Sequence, residues 1–240
     1  AALASIDRAV GRFPDDPTLH LTRARVLNEL ERYVEALPEL DRAEGLAGGS
    51  DALLHDIAFQ RAIALAGSKD LDASIAELER AAELGDASDE TLFLLITECG
   101  GTRRFEEAER YADRVLTGEQ DVDARTRAAA VYWKAASMKE LGREDEAQAA
   151  FREAVGVLRR ITISNPGLVD GYAYRLMCHK ELGEYDRALD LADHIIGLSP
   201  DNAAGYAFKA DVLEAQGNGD EARTLREKAA SLGPQVNTKR

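Results

Sequence analysis

Small and bulky residues recur along the chain at helical spacing. The recurring pattern is a small residue, a bulky one four positions later, and a further small or apolar one three positions after that. This spacing places all three side chains on one face of an α-helix. Seven copies are present: Ala2/Ile6/Ala9, Ala36/Leu40/Ala43, Ser74/Leu78/Ala81, Ala108/Ala112/Val115, Ala147/Phe151/Ala154, Ala188/Ala192/Ile195 and Ala222/Arg226/Ala229.

The copies follow one another at a nearly constant period. Their leading small residues are separated by 34, 38, 34, 39, 41 and 34 positions. A fixed period in this range predicts stacked supersecondary units, each covering the face that its neighbour leaves bare. The three longer intervals carry their extra residues in 45–50, 118–123 and 161–167. We expect each of these to lengthen a helix or a loop, and none to mark a domain boundary.

A second set of helices is predicted between these copies. Apolar residues at three- and four-residue spacing, without Pro, fill 18–30, 55–67, 90–100, 129–141, 170–182 and 204–216. Short turns follow them, and three open with Gly142, Gly183 and Gly217, because Gly accepts the left-handed backbone that ends a helix. No segment alternates at period two, so no strand is predicted. The sequence thus predicts helix, turn and helix six times after one lone helix.

The first helix of each pair resembles the tetratricopeptide repeat (TPR). Its spacing of packing residues reads Tyr172/Leu176/His179, Tyr206/Ala210/Leu213 and His20/Ala24/Leu27 in three of the pairs, and the resemblance covers about 1–235. It implies an all-α fold: a right-handed α-solenoid of antiparallel helical hairpins, with about six repeats after a half-repeat. The expected single array has a half-repeat at 1–14 and repeats at 17–48, 55–86, 89–120, 128–160, 169–200 and 203–235.

The acidic excess of the sequence favours some classes of binding partner over others. Acidic residues outnumber basic ones 44 to 30, which gives a net charge of −14 and argues against nucleic acid. Residues 51–127 carry eighteen acidic and nine basic side chains, so a basic or amphipathic partner would be attracted there. A merely solvated acidic face is the alternative. No apolar run reaches the length of a membrane span, so direct membrane insertion is not expected.

No motif in the sequence predicts catalysis, a metal or a cofactor. The segment Gly217-Asn218-Gly219 resembles part of a dinucleotide fingerprint, but no strand precedes it. The acidic residues Glu119, Asp121 and Asp123 lack the Gly and the later Glu of a calcium loop. Cys178 and His179 are adjacent on a helix, so their side chains point about 100° apart and do not form a nucleophile–base pair. We therefore expect a protein that is not an enzyme.

The resemblance also implies a binding surface. In this family the first helices line the concave groove of the superhelix, where partners bind as peptides. The residues expected there form three sets at successive helical turns: Leu21, Phe59, Phe93 and Tyr132; then Arg25, Ile63, Thr97 and Met177; then Asn28, Lys139 and Lys180. The first set would place an apolar run across four repeats. The alternative is that some of these side chains pack against the neighbouring first helix.

The resulting hypothesis is a protein–protein interaction scaffold that binds a peptide or partner protein in the concave groove. The alternative is a structural TPR spacer of a bacterial envelope or polysaccharide-secretion assembly. The array shows no polar cap at either end, so we expect either that it is a segment of a longer protein or that its ends pair with other chains, as in self-association. The sequence favours the cytoplasm, or the periplasm if an export signal has been removed. The Lys and Asn set that grips acidic chaperone tails in some TPR domains is missing, so such tails are not expected partners.

Overall fold

The computed structural model describes residues 2–85, 88–118 and 121–232, which form thirteen α-helices and no strand. The all-α prediction is confirmed for these residues. Parts of the sequence predictions lie outside them: Ala1, Glu119, the repeat ends at 86 and 120, and 233–235. The chain divides into two compact units, Ala1–Arg103 and Arg104–Arg240, and each is described by itself.

Unit 1 contains six helices: α1 (Ala2–Arg12), α2 (Pro17–Glu29), α3 (Tyr33–Leu46), α4 (Asp51–Gly67), α5 (Leu71–Leu84) and α6 (Asp89–Gly101). Unit 2 contains seven: α7 (Phe105–Thr117), α8 (Ala124–Glu140), α9 (Glu144–Ser164), α10 (Val169–Glu181), α11 (Tyr185–Leu198), α12 (Ala203–Ala215) and α13 (Gly219–Leu232). Within the units, α2/α3, α4/α5, α8/α9, α10/α11 and α12/α13 pack as helical hairpins.

Paired backbone hydrogen bonds fix the hairpin turns. At the end of α2, the N–H of Arg32 donates to the Leu27 carbonyl and the N–H of Glu31 donates to the Asn28 carbonyl, both at 2.9 Å. This is the Schellman arrangement, which requires a left-handed residue after the helix. That residue is Gly142, Gly183 or Gly217 in unit 2, as predicted, but in unit 1 it is Glu31, Lys69 or Arg103, with φ of 58°, 68° and 65°.

We expect the substitution Lys69→Gly to stabilise the protein by about 1 kcal/mol. A side chain in the left-handed region costs about 1–2 kcal/mol, and the greater freedom of Gly in the unfolded chain offsets part of the gain. Lys69 is exposed, so little packing is lost. Urea unfolding followed by circular dichroism measures the change. The reverse substitution Gly183→Ala, at φ 73°, should lower the urea midpoint. A lower midpoint for Lys69→Gly would contradict the prediction.

The extra residues of the longer intervals lie mainly in helices. Helices α4 and α8 each have 17 residues, whereas α2, α6, α10 and α12 have 13. Helix α9 has 21 residues, whereas α3, α5, α11 and α13 have 14. Of the two options left open by the sequence, longer helices or longer loops, the structure shows the first.

The recurring small–bulky–small positions form hairpin cores in the inner copies, whereas Ala2/Ile6/Ala9 and Arg226/Ala229 at the two ends are not buried. In unit 1, Ala36, Leu40 and Ala43 are fully buried in one cluster with Leu27 and Ile57, so three successive helices meet there. In unit 2, a cluster of the same kind joins α10, α11 and α12: Tyr172, Leu176, Ala188, Ala192, Ile195 and Val212. The small residues let the helix backbones approach closely enough for the bulky ones to fill the space between them.

Candidate partner-binding site

The expected groove residues of unit 1 differ in how far they are buried. Leu21 is 5 % exposed and belongs to the core cluster, and Phe93 on α6 is 8 % exposed. Phe59 and Ile63 on α4 are half-buried, as is Thr97 on α6, whereas Arg25 on α2 is exposed. For Leu21 and Phe93 these burials favour the alternative that they pack against neighbouring helices. Arg25, Phe59, Ile63 and Thr97 therefore keep solvent-exposed surface in unit 1.

Asn28 joins the first helices of two successive hairpins. Its side-chain amide donates to the backbone carbonyl of Gln60 at 2.9 Å and to the side-chain oxygen of Gln60 at 3.1 Å. Both side chains are buried, so these hydrogen bonds replace contacts with water. Asn28 thereby holds α2 beside α4. Its partner Gln60 was not among the residues singled out from the sequence, because nothing in the spacing pairs the two positions.

Phe59 and Ile63 lie one turn apart on α4 and so present one continuous apolar strip. Phe59 directly precedes Gln60, the residue that contacts α2. On α2, Arg25 lies one turn before Asn28 and has no ion pair within the described part of the chain. In unit 1, α4 therefore carries a half-buried apolar strip, and the neighbouring α2 carries the exposed guanidinium of Arg25.

The first helices of unit 2 are joined by aromatic side chains. Tyr132 of α8 is 9 % exposed, and its ring stacks on Tyr174 of α10 with centroids 5.3 Å apart. Trp133 meets the Tyr132 ring edge-on at 5.2 Å. Burial, together with the nearby Glu181 carboxylate, raises the pKa of the Tyr132 phenol, so the ring stays neutral. Tyr132 thus packs α8 against α10, and most of its ring is covered.

An ion-pair cluster joins α8 and α10 one helical turn after Met177. Glu181 lies one turn after Met177, and its carboxylate contacts the ammonium of Lys139 at 2.5 Å and that of Lys180 at 3.6 Å. The hydrogen bond to Glu181 raises the pKa of Lys139. Met177, Lys139 and Lys180 are all half-buried. The structure therefore joins the predicted Lys139 and Lys180 through Glu181, which the sequence did not single out, while Met177 packs against the apolar core of its hairpin.

Cys178 and His179, the potentially reactive side chains, are both buried in the packing between helices. Cys178 is fully buried and unoxidised, and burial raises the pKa of its thiol, which keeps it from ionising. His179 is buried, and its Nδ1 lies 2.6 Å from the Glu184 carboxylate. Burial lowers the pKa of His179 despite this carboxylate. In the described residues, no group of three His, Cys, Asp or Glu side chains could hold a metal ion. A helix long and apolar enough to cross a membrane is likewise absent from them.

Comparison with known proteins adds a sequence match to this geometry. Residues 1–51 and 179–237 match the family model described as tetratricopeptide repeat. None of the curated proteins matches the chain.

Several solved structures share the fold. A tetratricopeptide repeat protein from Parabacteroides merdae has a TM-score of 0.71 at 19 % identity, over 99 % of this chain and 87 % of that one. A thermophilic TPR protein from Thermus thermophilus has a TM-score of 0.62 at 18 % identity, over 75 % and 92 %. YrrB, described as a TPR protein with an unusual peptide-binding site, has a TM-score of 0.54 at 20 % identity, over 85 % and 97 %.

At these identities the solved structures show the fold, and the family model supplies the match in sequence at both ends. The solved structures and the family model both agree with the hairpin turns, the buried small residues and the sequence period described above. The chain therefore matches the tetratricopeptide repeat family in sequence over residues 1–51 and 179–237, and its helices share the fold of solved TPR proteins.

Proposed function

We propose that the protein is an interaction scaffold that binds a peptide segment of a partner protein along the first helices of its hairpins. The observation that carries this is the half-buried apolar strip of Phe59 and Ile63 on α4, directly beside the Asn28–Gln60 contact that holds α2 against α4. TPR proteins as a class bind protein or peptide partners, and the similarity to YrrB supports a peptide as the ligand.

The apolar strip supplies the anchor of the proposed site. A half-buried aromatic or branched side chain already has part of its surface removed from water, and a partner side chain can cover the rest. A few such anchors carry most of the binding energy in protein interfaces. Met177, half-buried one helical turn before Glu181 on α10, offers an apolar contact of the same kind in unit 2.

The proposed partner is amphipathic and carries basic residues. Residues 51–127 have a net charge of −9, since they hold eighteen acidic and nine basic side chains. Asp51 and Glu90, in the first turns of α4 and α6, are part of this excess, and neither has an ion pair within the described residues. Carboxylates of this kind attract a basic peptide over a distance of about one Debye length and speed its association.

A peptide-display selection tests this proposal. A randomised peptide library is panned against the whole chain, and the enriched peptides are titrated against variants. We expect amphipathic, basic peptides, and we expect the double variant Phe59→Ala/Ile63→Ala to bind them at least about tenfold more weakly, because the anchors are lost. Isothermal titration calorimetry measures the affinities, and circular dichroism checks that the helices remain.

The matched control is Leu30→Ala/Val34→Ala in the same unit. These two side chains are 53 % and 75 % exposed and lie outside the proposed strip, so their truncation should leave peptide affinity unchanged. The proposal is wrong if no peptide is enriched over an unrelated protein, or if the Phe59/Ile63 variant binds as tightly as the original chain. The spacer role in an envelope assembly stays a hypothesis, which an export signal in the full gene would favour.

A further inference from the structure

A cavity of about 480 Å³ lies in unit 2, outside the proposed peptide site. Three helices line it: the end of α7 at Leu116 and Thr117, α8 between Arg127 and Lys134, and α9 between Ala150 and Ile161. Ligand pockets for small molecules have volumes of about 300–1,000 Å³, so the cavity is large enough for a compact organic ligand.

The lengths of the helices explain why this space is open. Helix α7 has 13 residues and ends at Thr117, whereas its neighbours α8 and α9 have 17 and 21 residues. The first turns of α8 and the last turns of α9 lie together, because the two helices form an antiparallel hairpin. The cavity lies at this end of the hairpin, where the long helices meet the end of the short one.

The walls of the cavity are largely apolar. Leu116, Val131, Val157 and Ile161 line it from all three helices. Val131 and Ile161 are less than one-tenth exposed, and Leu116 and Val157 are half-buried. Contact of these aliphatic side chains with a ligand would remove apolar surface from water on both partners. The walls therefore favour an aliphatic group.

Cations outnumber anions around the cavity. Among the described residues, Arg127, Lys134 and Arg160 line it together with one carboxylate, that of Glu153. Lys134 is neutralised by Asp113, since its ammonium lies 2.6 Å from the carboxylate. Arg127 reaches only the fully exposed Asp121, at 3.8 Å. An exposed pair at that distance contributes little, so Arg127 remains available.

Arg160 is a second cation of the cavity that no described carboxylate pairs with. It is exposed on α9 and has no ion pair within the described residues. Glu153 lies seven residues earlier on the same helix, about two turns away, and so faces the cavity nearer to the hairpin turn. The ends of α8 and α9 that carry Arg127 and Arg160 are thus a positive region in a chain whose net charge is −14.

We infer that this cavity binds a small carboxylate with an aliphatic chain of about six to ten carbons. The carboxylate lies between the guanidinium groups of Arg127 and Arg160, which form charge-assisted hydrogen bonds with it. The chain packs against Leu116, Val157 and Ile161. An amine with the same chain would instead place a further positive charge beside the two guanidinium groups, which would repel it.

Octanoate serves as the probe. Isothermal titration calorimetry with the whole chain should give saturable binding, and ¹⁵N chemical shifts should move in α7, α8 and α9. Octylammonium should bind at least about tenfold more weakly, because its charge is repelled. The variant Arg160→Glu should weaken octanoate binding by at least about tenfold, and Val157→Phe, which fills the cavity, should weaken it similarly.

The matched control is Arg152→Glu, the same charge reversal on α9 at an exposed position that does not line the cavity. It should leave octanoate affinity unchanged. If Arg160→Glu fails to fold, Arg160→Gln replaces it and should also weaken binding. The inference is overturned if octanoate does not saturate, if octylammonium binds equally well, or if the Arg160 variants bind like Arg152→Glu. The Phe59/Ile63 variant should keep octanoate affinity, which separates this site from the peptide site.

Discussion

The substitution Phe151→Ala should lower the free energy of unfolding by about 3–5 kcal/mol. Phe151 is the largest side chain with no exposed surface, and it lies on α9 against α8. Its removal deletes apolar contacts and leaves a cavity that the rigid helices close only in part. Urea unfolding measured by far-UV circular dichroism gives the change in free energy.

The loss should also be visible in the aromatic group beside Phe151. Its ring centroid lies 6.4 Å from that of Tyr132, which meets Trp133 edge-on. Trp133 is the one tryptophan of the chain, so its fluorescence reports on this place alone. We expect the emission of the folded variant to differ from that of the original protein.

Phe13→Ala is the control for Phe151→Ala. Phe13 is 54 % exposed, and its ring lies 5.3 Å from the Arg12 guanidinium. Removing it should cost less than about 1 kcal/mol. Equal losses for the two variants would contradict the assignment of Phe151 to the core of its hairpin.

The substitution Leu40→Ala should lower the free energy of unfolding by about 2–5 kcal/mol. Leu40 is fully buried in α3, within the cluster that also contains Leu27 of α2 and Ile57 of α4. Truncation therefore weakens the contact within one hairpin and the contact with the next helix at once. Because each repeat depends on its neighbours, the loss should spread beyond α3.

Hydrogen exchange and urea unfolding together measure this effect. Amide protons of α2, α3 and α4 should exchange faster in Leu40→Ala, because all three helices border the cluster. Leu30→Ala provides the comparison, since Leu30 is 53 % exposed and its loss should change stability by only about 0.5 kcal/mol. Faster exchange confined to α3 would show that the cluster does not couple the helices.

The fold was predictable because its signals lie within single helices. The spacing of Ala36, Leu40 and Ala43 places them on one helical face, and the structure shows all three fully buried. The left-handed Gly142 and Gly183 follow from the freedom of Gly in such turns. Lys69 could be placed in a turn but not in the left-handed region, because the hydrogen bonds of the hairpin turn impose that conformation against its own preference.

The candidate site was only partly predictable, because burial across helices depends on contacts between distant residues. The sequence spacing predicts equivalent groove positions for Leu21 and Phe59, yet Leu21 is buried and Phe59 is half-buried. Tyr132 is covered because Tyr174, from the next hairpin, stacks on it. The cavity beside Arg160 has a related cause: the sequence shows extra residues near 161–167, but not that they extend α9 past the end of α7.

The lengthened helices show which size of insertion this architecture accommodates. Helices α4 and α8 exceed the common first-helix length by four residues, and α9 exceeds its counterparts by seven. At about 100° of rotation per residue, these additions are close to one and two full revolutions. A longer helix therefore ends on nearly the same side of its axis as a helix of the common length, and the exit direction of the chain is nearly unchanged. Evolution of such a protein can change its helix lengths in steps of one revolution without changing the orientation of the helices that follow.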